Sequence, residues 1–172
     1  MPLRLDKADS QTITAFRSLM QLYLHEMSAF RPDEVNAEGL FHHKWLAEPP
    51  DDTTEILLVR VKGQLAGFAI VQNLQSDLRL LSCLFLLNAY RGLGIGRETA
   101  HMVLDRHPGR WIVLAMETST PAKTFWRRVI RGYTLRQYWA EPSPDYGALA
   151  FHFTARPEAV NADSGNRASS PY

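Results

Sequence analysis

Between Leu78 and Leu87 the chain is apolar nearly throughout, and it runs at once into Asn88-Ala89-Tyr90-Arg91-Gly92-Leu93-Gly94-Ile95-Gly96-Arg97, where every second residue from 92 to 96 is glycine. A strand this apolar is buried on both faces, which places it near the centre of a sheet. Residues 94–106 then read as a helix, with Ile95, Thr99, Met102 and Val103 on one side and His107-Pro108-Gly109 as its stop. Trp111 to Met116 follows as a short buried strand, so strand, crossover helix and strand form one right-handed parallel unit. At the glycine turn the missing side chains let backbone N–H groups close on an anion, and the helix adds the positive end of its dipole. Phosphate is the natural guest.

The remaining elements are expected to assemble around that unit. Pro2 to Leu5 alternates weakly, as a short edge strand does. Ile13, Phe16, Met20, Tyr23, Leu24 and Met27 recur at helical spacing and predict a helix over 11–28, with Ser10 as its cap. A shorter helix is expected over 36–47, ended by Pro49-Pro50-Asp51-Asp52. Residues 54–61 and 65–71 read as a hairpin about Lys62-Gly63-Gln64. Thr120 as cap and Pro121 in the first turn open a last helix, whose inward stripe is Ala122, Phe125, Trp126, Val129 and Ile130 and whose stop is Gly132. Two closing strands, 134–138 and 148–154, are expected to flank a loop at 141–145. The fold class is therefore α/β, with a mixed, mostly antiparallel sheet flanked by helices. One domain over 1–156 is predicted, followed by a disordered tail over 157–172, where Asn, Ser, Gly and Ala leave little to bury.

Composition narrows the classes of function. In 172 residues, 19 basic side chains nearly balance 18 acidic ones, so no general attraction to nucleic acid or to an anionic membrane is expected. No run approaches the roughly 18 apolar residues that span a bilayer, and the start lacks the apolar core of a secretory signal. The single cysteine, Cys83, has no partner for an internal disulfide. These features predict a cytoplasmic protein. The neighbouring His42 and His43 point to different sides of a helix, so they do not form a metal site, and none is expected. Cys83, inside an apolar strand, reads as a small core residue rather than a nucleophile.

Two familiar phosphate sites do not fit the turn. A dinucleotide site needs Gly-x-Gly-x-x-Gly after an early strand, with an acidic residue about 20 positions on. Here the spacing is Gly92-x-Gly94-x-Gly96 after the third long strand, and only Glu117 stands near the place of a ribose partner. A nucleotide P-loop ends in Gly-Lys-Ser/Thr, and Gly96-Arg97-Glu98 does not supply it. What remains is Arg-x-x-Gly-x-Gly between a strand and a helix. This resembles the pyrophosphate loop of the GNAT superfamily, the acyl-CoA-dependent N-acyltransferases. Two helices before a hairpin, a third long strand, the loop and helix, another strand, and a helix opening Pro121-Ala122-x-x-Phe125-Trp126 follow that family's order, so the resemblance covers about Leu3 to Thr154.

The resemblance implies that the strand ending at Leu87 and the strand starting at Trp111 splay apart, so that the pantetheine arm of acetyl-CoA lies between them. Leu86 and Leu87 would offer backbone groups to the arm, and the Leu86 N–H would polarise the thioester carbonyl as an oxyanion donor. Backbone N–H groups of Gly92, Leu93, Gly94, Ile95, Gly96 and Arg97 would hold the pyrophosphate, with Arg91 and Arg97 supplying charge. Ser119, Phe125 and Trp126 would also border the cofactor. In such enzymes an amine attacks the acyl carbon directly, which calls for a general base and a general acid. Many relatives carry a tyrosine where this chain has Trp126, an asparagine at Ser119, and some a glutamate near Cys83, so both roles stay open. Glu117 and Tyr138 are the candidates, with Tyr133 behind them, and His25 and Glu26 fall on the acceptor side. The acceptor would be a small-molecule or peptide amine, and a homodimer is compatible with the fold. The missing tyrosine also leaves an acyl-CoA-binding sensory or interaction module as an alternative to an enzyme.

Overall fold

A computed structural model describes residues 2–47 and 50–156; the tail expected over 157–172 lies outside the described residues. Seven strands form one sheet in the order β1-β2-β3-β4-β5-β7-β6. The strands are β1 (Leu3–Lys7), β2 (Thr54–Val61), β3 (Gln64–Gln75), β4 (Leu78–Leu86), β5 (Gly109–Met116), β6 (Tyr138–Ser143) and β7 (Ala148–Ala155). The helices are α1 (Ile13–Met27), α2 (Lys44–Ala47), α3 (Ile95–Arg106) and α4 (Thr120–Tyr133). Every neighbouring pair is antiparallel except β4 and β5, which are parallel, as the α3 crossover between them requires.

Alternation along β2 to β4 sorts side chains into two apolar layers. On one face α1 lays Phe16, Met20 and Leu24 over Ile56, Leu58, Phe68, Ile70 and Phe85. On the other, α3 and α4 bury Val103, Leu104, Trp126 and Ile130 against Leu57, Val71, Leu81, Trp111, Val113 and Phe151. No residue of β5, β6 or β7 belongs to the α1 layer. Among the described residues that half of the face therefore carries no helix, and Ile112, Leu114 and His152 are partly exposed there.

Several local expectations are corrected by identifiable interactions. Asp9, not Ser10, prepares the start of α1: its Oδ1 accepts from the N–H groups of Gln11 at 3.0 Å and Thr12 at 2.9 Å. The Thr12 hydroxyl, which donates to the same oxygen at 2.7 Å, and then these backbone bonds hold the Asp9 carboxyl below the usual carboxylate range. The helix expected over 36–47 is reduced to α2, because Asn36 Oδ1 accepts from the N–H groups of Glu38 and Leu40 and folds the chain into a turn closed by a Val35–Phe41 bridge. Gly132 does not end α4. The helix runs on to Tyr133, and the left-handed residues beyond it are Leu135 and Arg136. The strand expected over 134–138 lies at 138–143 instead, so Glu141, Pro142 and Ser143 are strand rather than loop. Pro142 is tolerated there because, among the described residues, β6 is the edge strand of the sheet.

No helix among the described residues is long and apolar enough to cross a membrane. Within the same residues no group of three or more His, Cys, Asp or Glu side chains is placed to hold a metal ion.

Candidate active site

The parallel pair is short. β4 and β5 are in register only from Leu78 opposite Arg110 to Leu81 opposite Val113, and beyond those residues they separate. The cause is local to β4. On β3, Ile70 opposes Cys83 while Val71 opposes Leu81, so Ser82 is an extra residue in a bulge, and its hydroxyl donates to Gln72 Oε1 at 2.6 Å. A bulge bends its strand and sharpens the twist. β5 stays fully paired with β7 over all of Gly109 to Met116, so β4 alone turns away and a wedge opens between them.

Alternation of hydrogen bonding shows which backbone groups line that wedge. The Leu87 N–H donates to Ala66 O at 2.9 Å, which makes Ala66–Leu87 a hydrogen-bonded pair. The next pair, Gly67–Leu86, is then non-hydrogen-bonded, and so is Ala69–Leu84. The N–H and C=O groups of Leu86 and Leu84 accordingly point away from β3, into the wedge. Leu87 is not available to a ligand as expected, because its N–H is held by Ala66 and its carbonyl accepts from the Tyr90 N–H. Leu84, which sequence reasoning missed, faces the gap one pleat deeper than Leu86. Only the bulge and the strand pairing reveal this, since both residues read simply as leucine in an apolar run.

Above the wedge the chain makes a 3-10 turn at Asn88–Tyr90 and enters α3 through Gly92 and Gly94, both left-handed at φ +74° and +79°. Gly94 is the N-cap, and no side chain caps the helix. The first N–H returned to the helix is that of Glu98, which donates to Gly94 O, so the N–H groups of Ile95, Gly96 and Arg97 are left for a ligand. Gly96 serves packing: a Cβ there would stand 3.2 Å from the Phe125 ring and 3.6 Å from Leu86. Phe125 thus seats the start of α3 against the end of β4. Leu93 and Arg97 are exposed and Ile95 is buried.

Arg91 does something the motif did not suggest. Its Nε donates to Leu86 O at 2.7 Å, its Nη2 reaches both carboxylate oxygens of Glu26 at 2.8 and 2.9 Å, and its guanidinium lies 5.5 Å from the Phe85 ring centre. The side chain expected to neutralise pyrophosphate instead ties the end of α1 to the rim of the wedge. His25, beside Glu26, is exposed and near Phe41. Arg91→Met is expected to speed amide exchange in the last turn of α1. Because both partners are partly exposed, it should lower stability in a urea melt by no more than about 1 kcal/mol.

The other sequence candidates disperse. Glu117 follows the last residue of β5 at the open end of the wedge, exposed and 3.2 Å from Lys123 Nζ. Tyr138 does not reach that end. It opposes Phe153, which opposes Trp111, so it lies level with the closed part of the parallel pair, about 17 Å along β5 from Met116. Its ring packs on Phe151, which removes it as an acid for chemistry in the wedge. Tyr133 donates to Asp105 at 2.6 Å on the far side of α4. Ser119 is buried and accepts from the Ala122 N–H as the N-cap of α4, while Trp126 is buried among the residues beneath α3 and α4. Cys83 sits in the α1 layer against Tyr23. Burial pushes its thiol up to about 12, and the Cys83 neighbour in turn raises the Tyr23 hydroxyl. Such a thiol stays protonated and is a poor nucleophile.

Two hollows mark the surface of the described residues. A broad one of about 710 Å³ lies on the outer side of α4 among Arg127, Arg128 and Arg131. A smaller one of about 140 Å³ lies on the face that carries no helix, where β4 and β5 part; its lining includes Leu80, Leu114, Glu141, Tyr146 and His152. Glu141 falls in the loop expected over 141–145, and the true course of β6 is what brings it here, with Tyr146 in the 3-10 turn that follows the strand.

Residues 16–130 match the family model described as the acetyltransferase (GNAT) family. Among solved structures, the chain is similar to the PaiA N-acetyltransferase of Thermoplasma acidophilum in complex with coenzyme A, at 12% identity, TM-score 0.62, and 90% and 99% coverage of the two chains. It is similar to a GNAT-family acetyltransferase of Staphylococcus aureus, at 9% identity, TM-score 0.64, and 90% and 100% coverage. It is also similar to the ribosomal-protein-S18-alanine N-acetyltransferase of Escherichia coli, at 12% identity, TM-score 0.59, and 93% and 98% coverage. At these identities the likenesses show the fold. No curated protein matches the sequence.

Proposed function

The chain belongs to the acetyltransferase (GNAT) family, an acyl-CoA-dependent N-acetyltransferase by that membership, and from this premise we propose that it moves an acetyl group from acetyl-CoA to an amine by direct attack in a ternary complex. One observation carries the reading: β4 and β5 pair over four residues and then diverge directly beneath the uncapped start of α3. Backbone donors there face the gap between the strands, beneath helix-start N–H groups suited to pyrophosphate.

In this reading the N–H groups from Gly92 to Arg97 hold the pyrophosphate, with Arg97 adding charge. The pantetheine arm descends into the wedge and meets Leu86 first and Leu84 about 7 Å deeper. Leu86 then bonds the arm, and of the two donors Leu84 is the closer to the thioester, where its N–H stabilises the oxyanion. The expected oxyanion role is thus moved one pleat inward from Leu86. The amine nitrogen bonds to the carbonyl carbon and the C–S bond breaks; the acid protonates the leaving thiolate and is restored by the second proton that the acylated nitrogen sheds. Glu117, at the open end about three residues along β5 from Leu114, receives by way of solvent the proton that the ammonium gives up. Tyr146 is the phenol at the hollow beside Leu114 and replaces Tyr138 as the acid.

Thermal denaturation with CoA, acetyl-CoA and NAD tests the premise. CoA and acetyl-CoA are expected to raise the melting temperature, by linkage about 2.7 kcal/mol of stability at a hundredfold excess over Kd, and NAD to leave it unchanged. No shift with CoA at millimolar concentration defeats the reading. Thiol release from acetyl-CoA across a panel of amines then separates an enzyme from a sensory module that only holds acyl-CoA, a reading that the buried Trp126 in the family's tyrosine position supports.

A further inference from the structure

Resting on that reading, the sheet itself gives the acceptor a shape. Leu114 is the first residue of β5 past the last parallel pair. It opposes Ala150 on β7, and Ala150 opposes Glu141 on β6. Residues directly opposite across a sheet share a face, so these three form a line running across the strands from the wedge to the sheet edge. All three line the 140 Å³ hollow. Ala150 keeps the middle of the line low, while Leu74, Leu80 and Ile112 make its wall apolar. The far end is charged. Glu141 Oε1 stands 3.1 Å from His152 Nε2, and Trp139 stacks on that imidazole at 5.0 Å and 4°. His152 Nε2 is itself buried and makes no well-aligned hydrogen bond.

We propose that this line is the acceptor trough, and that the acceptor is a primary amine carrying a second cationic group across a short apolar spacer. The reacting nitrogen enters the wedge beside Leu114, the spacer lies over Ala150, and the second ammonium is held by Glu141. The spacing sets its length. Two strand intervals make about 10 Å, and after the reach of the Glu141 side chain this leaves roughly four to six methylenes. A carboxylate at the end of an apolar trough rewards a cation and penalises a bare alkyl end, which leaves that carboxylate without its partner.

Thiol release from acetyl-CoA is measured with 1,5-diaminopentane and with n-pentylamine, amines of equal spacer that differ in one ammonium. The expected kcat/KM ratio favours the diamine by about tenfold or more, the worth of one charge-assisted hydrogen bond. Glu141→Gln should bring that ratio near one, raising KM for the diamine while lowering it for pentylamine, whose alkyl end no longer faces an unpaired carboxylate, with the thermal shift with CoA retained. Glu141→Asp should retain part of the preference. A merely structural Glu141 would move both amines together. Equal rates for the two amines, a preference that survives Glu141→Gln, or turnover of neither while CoA still stabilises the protein overturns the proposal. If CoA fails to stabilise the protein, the acetyl-transfer reading has failed first.

Discussion

Replacement of Gly94 by tryptophan is expected to abolish the stabilisation of the protein by CoA while the domain remains folded. Gly94 caps α3 at φ +79°, and no atom lies within 4 Å of a Cβ built there. The new side chain therefore meets open space, the same space that the N–H groups of Ile95, Gly96 and Arg97 face. Left-handed backbone costs a residue with a side chain about 1–2 kcal/mol, a loss that a domain with typical stability survives. Gly94→Ala carries the same backbone strain with little bulk. It should lower the melting temperature of the free protein about as much, yet keep a measurable thermal shift with CoA. Calorimetric titration of both variants checks the point. Unchanged CoA affinity in folded Gly94→Trp would refute the assignment of this loop to pyrophosphate.

The central unit could be read from the sequence because its signals are local. A nearly continuous apolar strand, three spaced glycines and the start of a helix are each fixed by residues next to one another, and the structure keeps all three in place. The chemistry was less legible for the opposite reason. Arg91 occupies a motif position, but its guanidinium goes to Glu26, 65 residues away, and no spacing rule couples the two. Leu84 and Leu86 matter through backbone direction, which depends on the register with β3 and on the bulge at Ser82. Sequence periodicity cannot distinguish which N–H of an apolar strand is left unpaired. At the other end, the loop expected over 141–145 contains Pro142, a residue type excluded from central strands. On an edge strand the exclusion lapses, and Glu141 stands in β6 rather than in a loop.

The same dependence on register makes Gly67 the position where the smallest substitution should do the most damage. Gly67 opposes Leu86, and a Cβ built on it would stand 2.0 Å from Phe85 O and 2.9 Å from Leu86 Cα. Both obstacles are backbone, so no rotamer change can relieve them, and β3 must separate from β4. Gly67→Ala is expected to cost on the order of 3 kcal/mol or more, in the range of overpacked cores, and to lower the melting temperature by about 10 °C. Gly132, inside α4 with nothing within 4 Å of its Cβ, supplies the control of opposite sign. Gly132→Ala should stabilise the protein by about 0.4–1 kcal/mol by restricting the unfolded chain and favouring helix. The two substitutions add the same methyl group, so composition is held constant and only position differs. What makes Gly67 informative about function is where the displaced strand lies. Pushing β4 away from β3 at Phe85 and Leu86 moves the N–H groups that face the wedge. CoA affinity measured at a temperature where Gly67→Ala is still folded should therefore fall as well, whereas Gly132→Ala should leave it unchanged. Equal melting temperatures for Gly67→Ala and the parent protein would mean that β3 and β4 do not approach as closely as this register requires.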